Sequence, residues 1–192
     1  MSALATQQQL PWLAEEITII PTREARRFVE RHHYLRRSLH MAQLSYGIYR
    51  AGVLDGVFTF GFPFFSRAPF GLGSPVEWIE FARCVWLTKD DRNTGSRAIG
   101  TILRRVGADW HAYLPHVSIP LYVVSYADLT RHTGTLYRAC NFIDTGQSNS
   151  HLRFGIARAN RIAHADRAHP KQRFVYPLTR AARKALAAAL AD

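Results

Sequence analysis

The sequence predicts an α/β fold: a mixed β-sheet flanked by helices, closed by a C-terminal helix. Three observations carry that expectation. Short runs rich in branched and aromatic residues alternate with segments of helical periodicity. Two alternating runs, 43–50 and 53–60, are joined by Ala51-Gly52, a two-residue hairpin signal. Beyond the hairpin lies a long strand pattern followed by two helix–strand units, an order that suits helices packed on a mixed sheet.

Residues 1–16 read as a loose arm, 17–178 as the folded domain and 179–192 as the C-terminal helix. Residues 17–20 form a short strand broken by Pro21, and Thr22 is placed to cap a helix running to about His33. Ala25, Phe28, Val29 and His32 share one face of that helix, and Arg23, Arg27 and Arg31 another. After the hairpin, residues 61–75 make a long loop of Gly, Pro and Phe, folded on the core or else a stacking surface. Residues 76–87, VEWIEFARCVWL, are the best long strand; unbroken alternation puts Glu80 and Arg83 on opposite faces. A polar turn leads to one helix over about 96–113, with Ile99, Leu103, Val106 and Trp110 on its buried stripe. Strands follow at 120–125, 151–157 and 174–177, with a helix from about Thr135 and an Ala-rich helix over 179–190.

The chain of 192 residues is long enough to bury a core without cross-links, and 47% hydrophobic content excludes a disordered segment. Cys84 and Cys140 stand in apolar surroundings at no metal-type spacing, as reduced thiols do. Residues 1–16 lack the pattern of a secretory signal, and no apolar run approaches a membrane span, so an intracellular protein is expected. The net charge of +11 favours a polyanionic partner, most simply double-stranded DNA. Nearly all of it is arginine, which grips phosphate through paired hydrogen bonds. From Arg131 onward there are eleven Arg and Lys against three Asp, and Arg153, Arg158, Arg161 and Arg173 are the candidate phosphate contacts.

The stretch 123–146, VVSYADLTRHTGTLYRACNFIDTG, organises the rest. It reads as a buried strand ending in a polar loop, then a helix and a turn. Ligands of open α/β sheets bind at the C-terminal ends of central strands. Ser125, Tyr126, Asp128, His132 and Tyr137 therefore gather hydroxyl, carboxyl and imidazole groups at one rim; the alternative for Asp128 is a turn or helix cap. A second candidate is Arg92-Asn93-Thr94-Gly95-Ser96-Arg97, at a helix start, where unpaired N–H groups and the helix dipole favour an anion. The alternative there is a plain helix capped by Ser96. His32-His33-Tyr34 could supply a base or a metal ligand, although adjacent histidines on a helix point to different sides.

The order of elements resembles the GNAT acetyltransferase fold. That fold places acyl-CoA pyrophosphate at the helix start after its long strand, which maps the cofactor contacts to Arg92, Gly95, Ser96 and Arg97. Arg97 stands where the fold's pattern has a small residue. HHY, Glu80-Phe81-Ala82-Arg83, the 93–96 loop, VSYAD, the later H-x-G-T-x-Y-R-A-x-N-F, and KQRFVY at 171–176 occur together in this order. The chain thereby resembles the Mom-like DNA adenine-modification proteins of Mu-type bacteriophages, over about residues 25–177. The resemblance implies conversion of DNA adenine to N6-carbamoylmethyladenine in the host cytoplasm, as protection from restriction, with acyl-CoA and iron as possible cofactors. It maps the site to Tyr34, Arg83, Ser96, Ser125, Asp128 and Tyr137, and an iron site to Tyr34, Asp128 and Tyr137. Asp128 is then the expected acceptor of the adenine N6 proton, oriented by Ser125 or Tyr137. Two other readings remain: an acyl-CoA-dependent N-acyltransferase for a small amine or protein, and a basic DNA-binding module without turnover.

Overall fold

The computed structural model describes residues 15–36, 42–63, 65, 67–89, 92–148 and 171–191. The strand expected over 151–157 and the candidate contacts Arg153, Arg158 and Arg161 lie outside these residues.

Among the described residues seven strands form one sheet: β1 (Glu15–Ile19), β2 (Ala42–Arg50), β3 (Val53–Gly61), β4 (Trp78–Trp86), β5 (Tyr122–Ala127), β6 (Ile143–Ser148) and β7 (Lys171–Pro177). Their spatial order is β1-β2-β3-β4-β5-β7-β6. Every pairing is antiparallel except β4 with β5. Five helices accompany them: α1 (Thr22–His32), α2 (Thr94–Leu103), α3 (Val106–Tyr113), α4 (Thr135–Ala139) and α5 (Arg180–Ala189). Ala51 and Gly52, between β2 and β3, both have positive φ, as a tight hairpin turn of the strands' own twist demands.

Apolar residues cover both sheet faces. On one, Phe58, Phe60, Ile79, Phe81, Val123 and Phe174 pack with Ile99, Ile102, Val106 and Trp110 of α2 and α3. On the other, Val57 packs with Ala25 and Val29 of α1, and Trp78, Tyr122, Val124 and Val175 pack with Ala182 and Leu186 of α5. The long loop contributes to this packing. Phe62 meets the edge of Trp110, Phe65 meets Trp78, and Phe70 lies against the α5-side cluster. These aromatics are core, not a stacking surface.

Several local expectations are corrected. Thr22 is the first helical residue rather than a cap; its hydroxyl donates to the Gln43 carbonyl. The helix expected over 96–113 starts at Thr94 and breaks at Arg104–Arg105 into α2 and α3. Ser96 is inside it, with Asn93 at the cap position, and its hydroxyl donates back to the Asn93 carbonyl. Glu80 and Arg83 are on the same face. Phe81 lies opposite Phe60 and Arg83 opposite Thr59, so β4 spends an extra residue, Ala82, against β3. This β-bulge resets the alternation, because cross-strand partners share a face.

Candidate active site

The bulge also opens the sheet. β4 and β5 pair only from Trp78↔Tyr122 to Glu80↔Val124. Beyond that, β4 stays bonded to β3 as far as Trp86, and β5 to β7 as far as Ala127. The two strands thus remain held on their outer sides but part from each other. The wedge between them is at the C-terminal end of β5, where an α/β sheet presents its ligand site.

One side of the wedge is built by β5 and α4. Ser125 is buried, and its Oγ lies 2.8 Å from the Phe81 carbonyl and 3.0 Å from the Tyr137 hydroxyl. The Phe81 carbonyl is left without a β5 ladder partner by the splay, and the Ser125 hydroxyl supplies one. Tyr137 stacks on Phe174 and meets Phe142 and Phe81 edge-on. Burial, the largest cause, drives its hydroxyl well above the usual phenol range, so it is neutral at any physiological pH. Gly134 starts α4 with φ of 73°, and a Cβ there would press on Phe174 at 2.9 Å. Glycine is needed on both counts.

The other side is built by Arg83 and the end of α1. His33 is buried, and its Nδ1 accepts the Leu35 N–H at 3.2 Å. Burial first, then the charges of Arg83 and His132, lower its pKa to about 4. The ring is therefore neutral at pH 7 and carries its proton on Nε2. Tyr34 is 44% exposed, with its ring 4.4 Å from His33 and 5.2 Å from His132. The Arg131 guanidinium stands 5.3 Å from the Tyr34 ring. The Arg83 guanidinium donates to the Ala82 carbonyl at 2.7 Å, tying its side chain to the bulge.

Asp128 follows β5. One carboxylate oxygen accepts the Thr130 N–H at 3.0 Å and its hydroxyl at 2.5 Å; the other lies 3.6 Å from Arg131. The Asp128 carbonyl receives the N–H groups of Arg131 and His132. Its carboxylate thus shapes the β5–α4 loop that carries His132. The sequence-derived set is brought together in part: Tyr34, Arg83, Ser125, Asp128 and Tyr137 surround one opening, but Ser125 and Tyr137 belong to one sheet face and Arg83 to the other.

As a ligand set for iron, Tyr34, Asp128 and Tyr137 fit poorly. The Tyr137 hydroxyl is turned to Ser125, and both Asp128 oxygens face loop partners. No group of three His, Cys, Asp or Glu converges on a metal position among the described residues. The start of α2 suits an anion better. No side chain caps it, so its first-turn N–H groups lack intrahelical acceptors. Arg92 beside it is exposed and Arg97 partly so. Gly95 is also required by packing: a Cβ there would stand 2.7 Å from the Trp86 ring. Arg173 is not on an open track. Its guanidinium donates to the Thr145 hydroxyl and carbonyl at 2.9 and 3.3 Å and lies 4.4 Å from the Phe70 ring centre.

The profile of the Mom protein family matches residues 15–172, which include β1 to β6 and the first two residues of β7. The chain belongs to the Mom protein family. No curated protein matches it in sequence. Among solved structures, this Mom-family chain is similar to a GNAT-family acetyltransferase from Streptococcus pneumoniae, at TM-score 0.53 and 9% identity over 86% of this chain and 99% of that one. It is similar also to an aminoglycoside acetyltransferase in complex with coenzyme A, at TM-score 0.52 and 9% identity over 89% and 98%. A third is the ribosomal-protein-S5-alanine acetyltransferase from Vibrio fischeri, at 0.50 and 10% over 87% and 94%. At these identities the likeness establishes a GNAT fold, which the Mom-family chain builds with a mixed seven-stranded sheet and a C-terminal helix.

The sequence offered His33 only as one of two adjacent histidines; burial in the structure singles it out and keeps its ring neutral at pH 7. The shared face of Glu80 and Arg83 could not be read from alternation, because the bulge at Ala82 lies between them.

Proposed function

We propose that this Mom-family protein is a DNA-modifying transferase that converts adenine in DNA to its N6-carbamoylmethyl form, protecting that DNA from restriction. The observation that carries the reading is the family match across residues 15–172 of a chain whose sheet parts into a polar wedge. The charge of +11 supports a polyanionic substrate.

The adenine amine is inaccessible to a strand-end pocket while stacked, so the base must leave the duplex. Tyr34, exposed at the mouth beside His132 and Arg131, offers a ring and a cation for an extruded purine. The N6 lone pair is delocalised into the ring, so bond formation needs concurrent proton removal. Neutral His33, whose Nδ1 is taken by the Leu35 N–H, and the Arg83 guanidinium are the donor-bearing side chains on this side of the wedge. A bound acyl-CoA would be held by the first-turn N–H groups of α2 with Arg92 and Arg97; its thioester carbonyl would serve N-acyl transfer, whereas a carbamoylmethyl product needs a donor whose CH2 carbon carries the carboxamide and a leaving group. Asp128 keeps the β5–α4 loop in place.

The test is mass spectrometry of nucleosides from DNA of bacteria expressing the protein. N6-carbamoylmethyldeoxyadenosine is expected; unmodified deoxyadenosine alone would overturn the reading. The fold likeness to acetyltransferases favours a second reading, N-acyl transfer to a small amine or protein. Label from acyl-CoA in metabolite or protein, with none in DNA, would establish it. Salt-dependent DNA binding with neither product would mark a binding module.

A further inference from the structure

Helix α1 carries four arginines against two glutamates over Thr22–His32. Its buried side, Ala25 and Val29, packs on the sheet. Arg23, Arg27 and Arg31 recur every four residues on the opposite, exposed side. The rise of an α-helix spaces them about 6 Å apart, in a row about 12 Å long. Glu24 and Glu30 flank the row, and the Glu24 carboxylate accepts the Tyr49 hydroxyl at 3.4 Å. Among the described residues, no hydrogen bond or ion pair engages the guanidinium groups of the row. Like charges four residues apart repel one another and cost the helix stability. Whatever neutralises them comes from outside the fold.

The row leads to the mouth of the wedge. Two residues past Arg31, His33 is buried within reach of the Arg83 charge. Tyr34 then stands out beside His132 and Arg131. Arg36, at φ of 49°, folds back to donate to the Arg31 carbonyl at 2.7 Å. Cations therefore continue from Arg23 along the helix to the mouth. Other arginines are spent on the fold: Arg173 on Thr145 and Phe70, Arg105 on Asp109.

We propose that the exposed arginine row of α1 is a phosphate track for double-stranded DNA, laying the duplex backbone across the wedge mouth. The inference rests on the DNA reading above. Duplex DNA carries one charge per about 1.7 Å of axis, so a row of this length meets several phosphates at once. Arginine grips each through charge-assisted hydrogen bonds. The nucleotide beside the gripped phosphates is thereby delivered to Tyr34. Phosphate contacts carry no base information, so the track positions the duplex without choosing its sequence.

Duplex binding by the full chain is titrated with salt from about 50 to 200 mM. Arg23→Gln, Arg27→Gln and Arg31→Gln should each reduce the log–log slope by about 0.9, and the triple variant by about 2.7. All three side chains are exposed, so the melting temperature should hold. Lysine at the same three positions should keep most of the slope, because the charge remains. Arg104→Gln, the same charge change at the exposed end of α2 on the other sheet face, should leave the slope unchanged. Glu30→Gln should tighten binding. A folded triple Gln variant with the wild-type slope would overturn this inference alone, as would an equal loss in Arg104→Gln. Loss of binding to phosphatidylglycerol vesicles in the triple variant, with duplex binding intact, would give the row to a lipid surface instead. No salt-dependent duplex binding by wild type would overturn the DNA reading, and this inference with it.

Discussion

The Ser125 and Tyr137 hydroxyls lie 3.0 Å apart, and the Ser125 Oγ is also 2.8 Å from the Phe81 carbonyl. A serine carries one hydroxyl proton. With it on the carbonyl, which can only accept, the tyrosine donates to the serine. The pair therefore clamps β5 to β4 and α4 where the ladder between the strands has stopped.

Tyr137→Phe should leave Ser125 bonded to Phe81 and cost on the order of 1 kcal/mol. If the phenol oxygen serves the reaction, adenine modification should fall sharply at a nearly unchanged melting temperature. Undiminished nucleoside yield would leave Tyr137 as a packing and clamping residue.

Asp128→Asn should keep an acceptor for Thr130 and lose the attraction to Arg131, whose side chain is about half exposed. An ion pair of that kind is worth less than about 1 kcal/mol. Modification should fall little. A steep loss, in a variant of unchanged stability and DNA affinity, would return the proton-acceptor role to Asp128.

His33 makes stability sensitive to acid. Its folded pKa, about 4, is below the ordinary 6.5. A depressed value means that the folded state resists protonation. The stabilisation is therefore fully present above about 6.5 and is lost as pH falls through about 4. Its ceiling is roughly 3 kcal/mol. Glu80 has the opposite sign: raised to about 7, it contributes most below the ordinary 4.5 and loses that contribution as pH rises through 7. Denaturant titrations across this range should show His33→Asn less acid-sensitive than wild type, and Glu80→Gln gaining on wild type as pH rises. Parallel pH curves would contradict both assignments.

Gly95→Ala should destabilise by about 1–3 kcal/mol, because its Cβ meets the Trp86 ring at 2.7 Å. Trp86→Leu should relieve that clash, so the double variant should cost less than the sum of the singles. Strict additivity would place the strain elsewhere.

Among the arginines, Arg158→Gln and Arg161→Gln should each reduce the log–log salt slope of duplex binding by about 0.9 if they contact phosphate. Arg173→Gln should instead lower stability, since its guanidinium is spent on Thr145 and Phe70. A salt titration beside a melting curve separates the two effects.

From the sequence alone came the α/β class, the β2–β3 hairpin, the strand ending at Ser125–Ala127 and the gathering of Asp128, His132 and Tyr137 beyond it. Those features are written in local periodicity and turn chemistry, which act over a few residues. The motifs that mark the Mom family were legible for the same reason. Only the tertiary structure decided which side chains meet. One extra residue at Ala82 exchanges the faces of everything after Phe81. That change turns Glu80 and Arg83 to one side and parts β4 from β5. A bulge depends on the partner strand's register, and alternation along a single strand carries no record of it. The contrast between the two carboxylates was hidden likewise. Asp128 follows an apolar run and is met by N–H and hydroxyl donors, whereas Glu80 stands inside one, desolvated and within reach of the charges of Arg83 and Lys171. That difference of surroundings is set by chain segments distant in sequence, and burial raises the Glu80 carboxyl above its ordinary value.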